Sequence, residues 1–292
     1  MNTQNQTIQL KPLKMSVRNA EFQIISALRT NRTKRSQEKE VFVEGTEPIK
    51  QLLTAGWKIT RILFREKTAL SSWAKEVIQN QIDANIFEVK DELYLELSEK
   101  ENPSELIVTA KIKNQLDLNG LIQKKSLLPN ENPFYLLFDR PSDYGNFGTL
   151  LRSADAFLVN LVFVIGHSID VYDPKVIRSS LGSLFHTQLV FVPNFETLNL
   201  FVESEKKRSG LSVIGTDSSG EFDLREKTLT SPILLILGNE KKGMSVQLQS
   251  LCDSMVKIPM FGVVNSLNVS CAGSILLWEV TKGRGSQKTN QR

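Results

Sequence analysis

The first half of the chain alternates short apolar segments with segments of helical period. Between residues 17 and 35, Phe22, Ile25 and Leu28 recur at the spacing of one helix face. Four apolar segments of strand length follow, separated by amphipathic segments, at residues 41–45, 59–65, 85–90 and 105–112. This alternation predicts a small α/β domain over residues 17–112.

The second half carries apolar runs without an alternating polar face. Five such runs of strand length lie at residues 134–139, 161–166, 189–192, 211–217 and 233–240. Continuous apolar strands are typical of a parallel sheet that is buried on both faces. Helices are expected at residues 146–157 and 267–282, and we predict a second α/β domain over residues 133–283.

Polar stretches between and beyond these domains predict segments without regular structure. Residues 113–132 end in KKSLLPNENP, which mixes charge, asparagine and proline, and this composition predicts a linker. Flexible tails are expected at residues 1–16 and 284–292, where the chain is polar and lacks any apolar period.

Composition narrows the class of protein only moderately. With 40% hydrophobic residues, 23% charged residues and a net charge of +4, the chain is typical of a globular protein and is compatible with an RNA partner. The N-terminus lacks a signal-peptide core, and no apolar run reaches membrane-spanning length. Cys252 and Cys271 are too few for a disulfide framework or a zinc site. We therefore expect a cytoplasmic protein without a metal site or a membrane partner.

The first segment with candidate chemistry follows the apolar run at 134–139. Gly145 and Gly148 flank Asn146 at a predicted turn, and Asn146 could cap the helix that contains Arg152. A plain strand–turn–helix with a surface arginine is the competing interpretation, because short glycine motifs are weak signals.

Two further segments place polar residues where strands end. One apolar run leads directly into Gly238, Asn239 and Glu240, and ligand sites in α/β sheets lie beyond the carboxyl ends of strands. Charge alone would allow Glu240 to be an ordinary surface residue. The last segment contains an apolar edge and then the polar residues that open the final helix, namely Ile258, Pro259, Met260, Ser266, Asn268 and Ser270. Ser266 is expected to be the N-cap, and Cys271 is expected in the core, since no histidine lies near it in sequence.

Together and in this order, these segments resemble the motifs of the SpoU/TrmH family of RNA 2′-O-ribose methyltransferases, in the SPOUT class. The resemblance covers residues 134–282, and the N-terminal half resembles the substrate-binding domain of these enzymes, which is itself similar to RNA-binding ribosomal proteins. The resemblance implies a catalytic domain with a deep trefoil knot, S-adenosylmethionine as cofactor, and a homodimer with the active site near its interface. It implies an RNA substrate and no DNA substrate.

The resemblance also implies roles for individual residues. The catalytic set that it implies is Asn146, Arg152, Glu240, Ser266 and Asn268. The cofactor-binding set is Thr216, Gly238, Asn239, Ile258, Met260 and Leu267. Arg152 would bind a phosphate or stabilise oxyanion charge. It is a poor general base, because its guanidinium stays protonated at neutral pH. Asn146 would position the ribose or Arg152, Glu240 would orient one of these two residues, and Ser266 and Asn268 would shape the cofactor loop.

Two positions depart from the family pattern. Tyr144 stands where a proline is usual, and Leu158 stands where a glycine is common. Neither change removes a polar catalytic group, so the departures bear on substrate detail rather than on activity.

A basic run in the N-terminal domain is the predicted RNA-binding surface. It comprises Arg29, Arg32, Lys34, Arg35 and Lys39, and a solvated helix face is the competing interpretation. The fused domain favours ribosomal RNA over tRNA as substrate. Two other classes of protein are alternatives. A non-catalytic RNA-binding module would lack the polar motif residues, which are present in this chain. A Rossmann-type methyltransferase or dehydrogenase would need a glycine-rich turn with a later acidic residue, and the stretch around Gly145 and Gly148 lacks the full spacing.

Overall fold

The computed structural model describes residues 11–113, 116–123 and 132–282. Most of both predicted tails lies outside the described residues, as do 114–115 and 124–131 of the predicted linker. The described chain divides into two compact units. Unit 1 contains the residues up to Lys113 together with Tyr172–Phe185, and unit 2 contains the rest.

Most elements follow each other as the hydrophobic pattern predicts. The first half contains β1 (Leu13–Met15), α1 (Ala20–Thr30), α2 (Arg32–Glu38), β2 (Glu40–Glu44), α3 (Thr46–Thr54), β3 (Ile59–Arg65), α4 (Ser72–Asn80), β4 (Asn85–Val89), α5 (Asp91–Leu97) and β5 (Leu106–Lys111). The second half contains β6 (Leu116–Asp117), α6 (Leu118–Gln123), β7 (Phe134–Asp139), α7 (Tyr144–Ala156), β8 (Leu161–Ile165), α8 (Pro174–Ser179), β9 (Leu189–Val192), α9 (Phe195–Ser209), β10 (Ser212–Thr216), β11 (Phe222–Asp223), β12 (Ile233–Leu237), α10 (Val246–Leu251), β13 (Ser254–Lys257) and α11 (Val269–Thr281).

Unit 1 is built on a mixed five-stranded sheet in the order β1-β4-β3-β5-β2. Strands β1, β3 and β4 are parallel, and β5 is antiparallel to both β3 and β2. The helix face predicted from Phe22, Ile25 and Leu28 is buried in its core, which confirms the helical period there.

Three expectations about the first half and the linker are corrected. Residues 13–15, assigned to a flexible tail, pair with β4 because Met15 is buried in the core. The single helix expected over 17–35 is interrupted at Asn31, whose extended backbone ends α1 while its side chain caps α2. Within the predicted linker, β6 pairs with β9 and α6 buries two leucines, so this part is structured.

The boundary between the units is also not contiguous in sequence. Tyr172–Phe185 belongs to unit 1, where the indole nitrogen of Trp57 donates to the carbonyl of Phe185 at 3.1 Å. In the same unit Asp173 accepts from Arg35 at 3.0 Å. A domain assignment by consecutive residues misses this segment, because it lies between two strands of the unit 2 sheet.

Unit 2 contains an eight-stranded sheet in the order β11-β13-β10-β12-β7-β8-β9-β6. Every recorded strand pair in it is parallel, and β7, β8 and β12 are buried at every position, which confirms the predicted sheet. Because β13, β10, β12 and β7 are consecutive neighbours, the loops that follow them leave the same edge of the sheet. In the described part of the chain, no helix is both long and apolar enough to span a membrane.

Candidate active site

A cavity of about 320 Å³ opens at the carboxyl edge of the unit 2 sheet. Its lining includes every predicted catalytic and cofactor residue except Arg152, namely Asn146, Thr216, Gly238, Asn239, Glu240, Ile258, Met260, Ser266, Leu267 and Asn268. The three sequence segments therefore meet in one place, although about 120 residues separate the first segment from the last.

The loop after β12 is rigidly shaped by its own backbone. A Cβ on Gly238 would lie 2.5 Å from the amide nitrogen of Met244, so only glycine fits there without displacing the chain. Asn239 and Gly243 exchange backbone hydrogen bonds of 3.0 and 2.9 Å. The side chain of Asn239 donates to the carbonyl of Arg140 at 2.6 Å, which ties this loop to the one after β7.

Asp139 and Arg140 strengthen the same junction, and sequence reasoning missed both. Asp139 is buried, accepts from Arg140 Nε and Nη2 at 2.8 Å each, and accepts from the amide of Ser245 at 2.8 Å. The Asp139 carboxylate raises the pKa of Arg140 above its usual value. The only sequence signal was a charged pair at the end of a buried strand.

Glu240 holds the loop after β7 instead of the residues expected. Its carboxylate accepts from Ser142 Oγ at 2.7 Å and from the amides of Ser142 and Asp143 at 3.2 and 3.3 Å. The expectation that Glu240 binds Arg152 or Asn146 is therefore wrong, because its carboxylate accepts from donors of the loop that precedes α7. Glu240 positions the first motif through this loop.

The two helix caps are also not the residues expected. Asp143 caps α7 by accepting from the amide of Asn146 at 2.7 Å, which leaves the Asn146 side chain for another partner. Asn268, and not Ser266, caps α11, since its Oδ1 accepts from the amide and hydroxyl of Ser270 at 2.8 and 2.6 Å.

One side-chain hydrogen bond joins the first and third motifs. Asn268 Nδ2 donates to Asn146 Oδ1 at 2.7 Å. Both residues line the cavity, and both polar atoms of Asn268 are used within the protein. Asn146 Nδ2 has no recorded partner among the described residues, so it is left to donate to a ligand.

Arg152 lies apart from this network. It is exposed on α7 and does not line the cavity, and its side chain has no recorded hydrogen bond or ion pair with the described residues. Cys271 is exposed on α11, so its expected place in the core is wrong. The reason is the register of α11, which turns Cys271, Ile275 and Trp278 outward.

The lining divides into an apolar part and a polar part. Side chains such as Leu237, Val256 and Leu276 form apolar wall, while the polar part adds Asp217 and Ser218, which sequence reasoning missed although they directly follow Thr216. Among the described lining residues there are two carboxylates and no lysine, arginine or histidine. Such a cavity suits a flat apolar group joined to a neutral or cationic one better than a nucleoside phosphate.

The basic run of unit 1 is only partly available to a ligand. Arg35 is buried and donates to the carbonyls of Leu28 and Arg29 and to Asp173, so its assignment to RNA binding is wrong. Arg29 donates to the three carbonyls at the end of α5.

The remaining members of the run differ in their exposure. Lys34 pairs with Glu38 at 2.7 Å, while Arg32 and Lys39 are exposed. Three of the five predicted positions, Arg29, Lys34 and Arg35, thus make contacts within the protein.

Comparison with known proteins covers both units. The chain matches the model of the SpoU rRNA Methylase family over residues 133–278 and that of the SpoU L30e-like domain over residues 19–108. It is 37% identical over 278 residues to the 23S rRNA (uridine(2479)-2′-O)-methyltransferase of Streptomyces viridochromogenes, covering 94% of each chain.

Solved structures show the same extent of similarity. The SpoU methyltransferase AviRb from Streptomyces viridochromogenes, crystallised with AdoMet, is 36% identical with a TM-score of 0.82, covering 92% of this chain and 99% of that chain. An AdoMet-bound rRNA methyltransferase from Sinorhizobium meliloti is 23% identical with a TM-score of 0.78, over 92% of this chain and 98% of its own, and shares the fold.

Proposed function

Since this chain belongs to the SpoU rRNA methylase family, we propose that it methylates the 2′-hydroxyl of a ribose in ribosomal RNA. The predicted fold class, a SPOUT domain with a ribosomal-protein-like N-terminal domain, is confirmed, as are the enzyme class, RNA 2′-O-ribose methyltransferase, and the cofactor, S-adenosylmethionine. The trefoil knot and the cytoplasmic location stay predictions.

The observation that carries the site assignment is the hydrogen bond between Asn146 and Asn268. It brings the first and third motifs together at the wall of one cavity whose size is within the range of small-molecule sites. The residues present fit S-adenosylmethionine, because its adenine suits the apolar wall and its positive charge suits a lining with carboxylates and no basic side chain. S-Adenosylmethionine supplies an electrophilic methyl group on a sulfonium.

The chain's own residues would align the sugar and balance charge. Asn146 would donate from Nδ2 to a ribose oxygen, since its Oδ1 is held by Asn268. Alignment of the reacting atoms supplies a large part of the acceleration in such transfers. Asn268 and Glu240 are positioning residues in this scheme, whereas Ser266, Leu267 and the backbone near Gly238 would contact the cofactor.

Arg152 would complete the site of a second copy of the chain. It lies on an exposed stripe of α7, and α7 packs against α11 through the hydroxyls of Ser153 and Ser274 at 2.7 Å. Next to this contact, Ile275 and Trp278 are 37% and 55% exposed. Exposed apolar side chains of this kind are typical of a protein–protein interface, and in the proposed twofold dimer Arg152 of one chain would act at the cavity of its partner.

A test of this arrangement mixes two variants that are each expected to be inactive, Arg152→Ala and Asn146→Ala. If Arg152 acts across the interface, a heterodimer contains one intact site, and an equal mixture recovers about a quarter of native activity. If Arg152 acts within its own chain, the mixture stays inactive. Arg152→Ala alone should keep native affinity for S-adenosylmethionine by calorimetry, and light scattering should give the mass of two chains.

The substrate assignment is tested with labelled S-adenosylmethionine. We expect label in ribosomal RNA from a strain that lacks the gene, and none in tRNA or in DNA, which has no 2′-hydroxyl. Label in tRNA alone would replace ribosomal RNA by the alternative substrate, and equal label in DNA would exclude the ribose. A non-catalytic RNA-binding module would transfer no methyl group to any of them.

The N-terminal unit would hold RNA through Arg32 and Lys39, the two exposed members of the basic run. Deleting unit 1 is a poor test, because Tyr172–Phe185 would lose the residues around it. Arg32→Glu with Lys39→Glu should weaken RNA binding and flatten its salt dependence, while affinity for S-adenosylmethionine stays unchanged.

A further inference from the structure

An exposed aromatic side chain lies at the rim of the cavity. Phe261 is 83% exposed, although it directly follows Met260, which lines the cavity, and comes four residues before Asn265, which also lines it. Val263 and Val264 are exposed as well, and an exposed apolar patch beside a ligand site is typical of a binding surface.

A fixed guanidinium lies against this ring. The central guanidinium carbon of Arg225 is 5.3 Å from the centroid of Phe261, within the range of a cation–π contact. Asp223 orients the guanidinium by accepting from Nε at 3.0 Å and from Nη2 at 2.7 Å. The same hydrogen bonds lower the pKa of Asp223 to about 2, so this fork is charged throughout the neutral range.

The fork is anchored in the sheet. Asp223 belongs to β11, which pairs in parallel with β13 at the register Asp223 to Lys257. A second aromatic–cation pair lies on the same excursion of the chain, with Lys227 Nζ 4.3 Å from the ring centroid of Phe222. Exposed aromatic rings with a cation beside them are common on surfaces that stack nucleic-acid bases.

We infer that Phe261, backed by Arg225, is a stacking surface for an unpaired base of the substrate RNA next to the methylated ribose. The inference rests on the proposed function, because it takes the cavity as the methyl-transfer site. A base has a flat face that fits an open aromatic ring, and stacking does not require net positive charge. The segment fits this mode, since Glu221 and Glu226 offset its cations and would disfavour a phosphate clamp.

The test compares Phe261→Ala and Phe261→Trp with Leu200→Ala. Leu200 is 63% exposed on α9 and lies outside the cavity, so its variant controls for loss of exposed apolar surface. With ribosomal RNA from a strain lacking the gene, Phe261→Ala should raise KM between about fivefold and a hundredfold, the loss typical of one stacked base. Phe261→Trp and Leu200→Ala should keep native KM, and calorimetric affinity for S-adenosylmethionine should not change in any variant.

Salt dependence and oligomeric state distinguish base stacking from a phosphate contact and from a contact with a second copy of the chain. The KM increase should be similar at low and high salt, because a stacking contact releases no counterions. An unchanged KM for Phe261→Ala would overturn the inference. If Phe261→Ala abolished dimerisation, the ring would instead contact a second copy of the chain, and the inference would be overturned. A matching loss of S-adenosylmethionine affinity would also overturn it, because the ring would then be part of the cofactor cavity. Failure of the wild-type chain to methylate ribosomal RNA would instead refute the proposed substrate.

Discussion

Asn268 performs two tasks that one substitution can separate. Its Oδ1 caps α11 by accepting from Ser270, and its Nδ2 donates to Asn146 at 2.7 Å. Asn268→Asp keeps an oxygen for the cap and replaces the donor by a second acceptor. Asn268→Ala removes both functions, so the two variants should differ in stability but share a loss of activity.

The expected magnitudes follow from these contacts. Loss of a side-chain N-cap costs about 1 kcal/mol, so Asn268→Ala should lower Tm by roughly 2–4 °C for a chain of this size. Asn268→Asp should stay within about 0.5 kcal/mol of wild type, because a carboxylate is favourable at a helix N-terminus. Both should lower kcat/KM by about fivefold or more, the equivalent of one hydrogen bond of about 1 kcal/mol.

The activity loss in Asn268→Asp holds even if Asn146 rotates its amide. Rotation would let Asn146 donate to the new carboxylate, but it would then present Oδ1 to the ribose in place of Nδ2. The assays are thermal unfolding, calorimetric binding of S-adenosylmethionine and initial rates of methyl transfer. Native kcat/KM in Asn268→Asp would refute the positioning role, and equal Tm values in both variants would refute the capping role.

Three further outcomes are expected from burial and packing. In a Cys271→Ser background, Cys252 should resist alkylation at pH 8 until the protein unfolds. Burial raises the pKa of Cys252 to about 12, so that at pH 8 only about one molecule in ten thousand carries the thiolate. Rapid labelling of the native protein would contradict this prediction. Arg35→Ala should destabilise the protein by about 1–3 kcal/mol in urea unfolding, because it removes the hydrogen bonds that the buried Arg35 donates to the carbonyls of Leu28 and Arg29 and to the partly exposed Asp173. A change within about 0.5 kcal/mol of wild type would show that these hydrogen bonds do not contribute to stability. Gly273→Ala should lower the free energy of unfolding by about 1–3 kcal/mol in the same assay, because a Cβ there would lie 2.5 Å from Leu150 Cδ1 at the contact between α7 and α11. Unchanged stability would show that this contact can accommodate a methyl group.

The spacing of apolar residues in the sequence was sufficient to predict most strands and helices and the buried parallel sheet. Residues 134–138 and 233–237 are apolar at every position, and both segments form strands buried on both faces of a parallel sheet. This works because burial on two faces leaves no room for a polar alternation. The positions of most site residues were also predictable, since polar groups that follow buried strands gather at one edge.

Hydrogen-bond partners were not predictable to the same degree. Asn146 and Ser266 were expected to cap helices, but Asp143 and Asn268 do so. Each expected cap lies within three residues of the actual one, and all four are good capping residues. The choice depends on where the chain leaves the preceding loop, which is decided by contacts such as those of Glu240 with Ser142.

The sequence by itself determined most of the strands and helices and most of the polar residues that meet at the cavity, because those depend on local period and strand ends. Only the tertiary structure decided that Arg35 is buried, that Cys271 is exposed and that Tyr172–Phe185 belongs to unit 1. The burial of a charged or reactive side chain depends on partners far away in sequence. Arg35 and Asp173, 138 positions apart, become an ion pair only after the chain has folded.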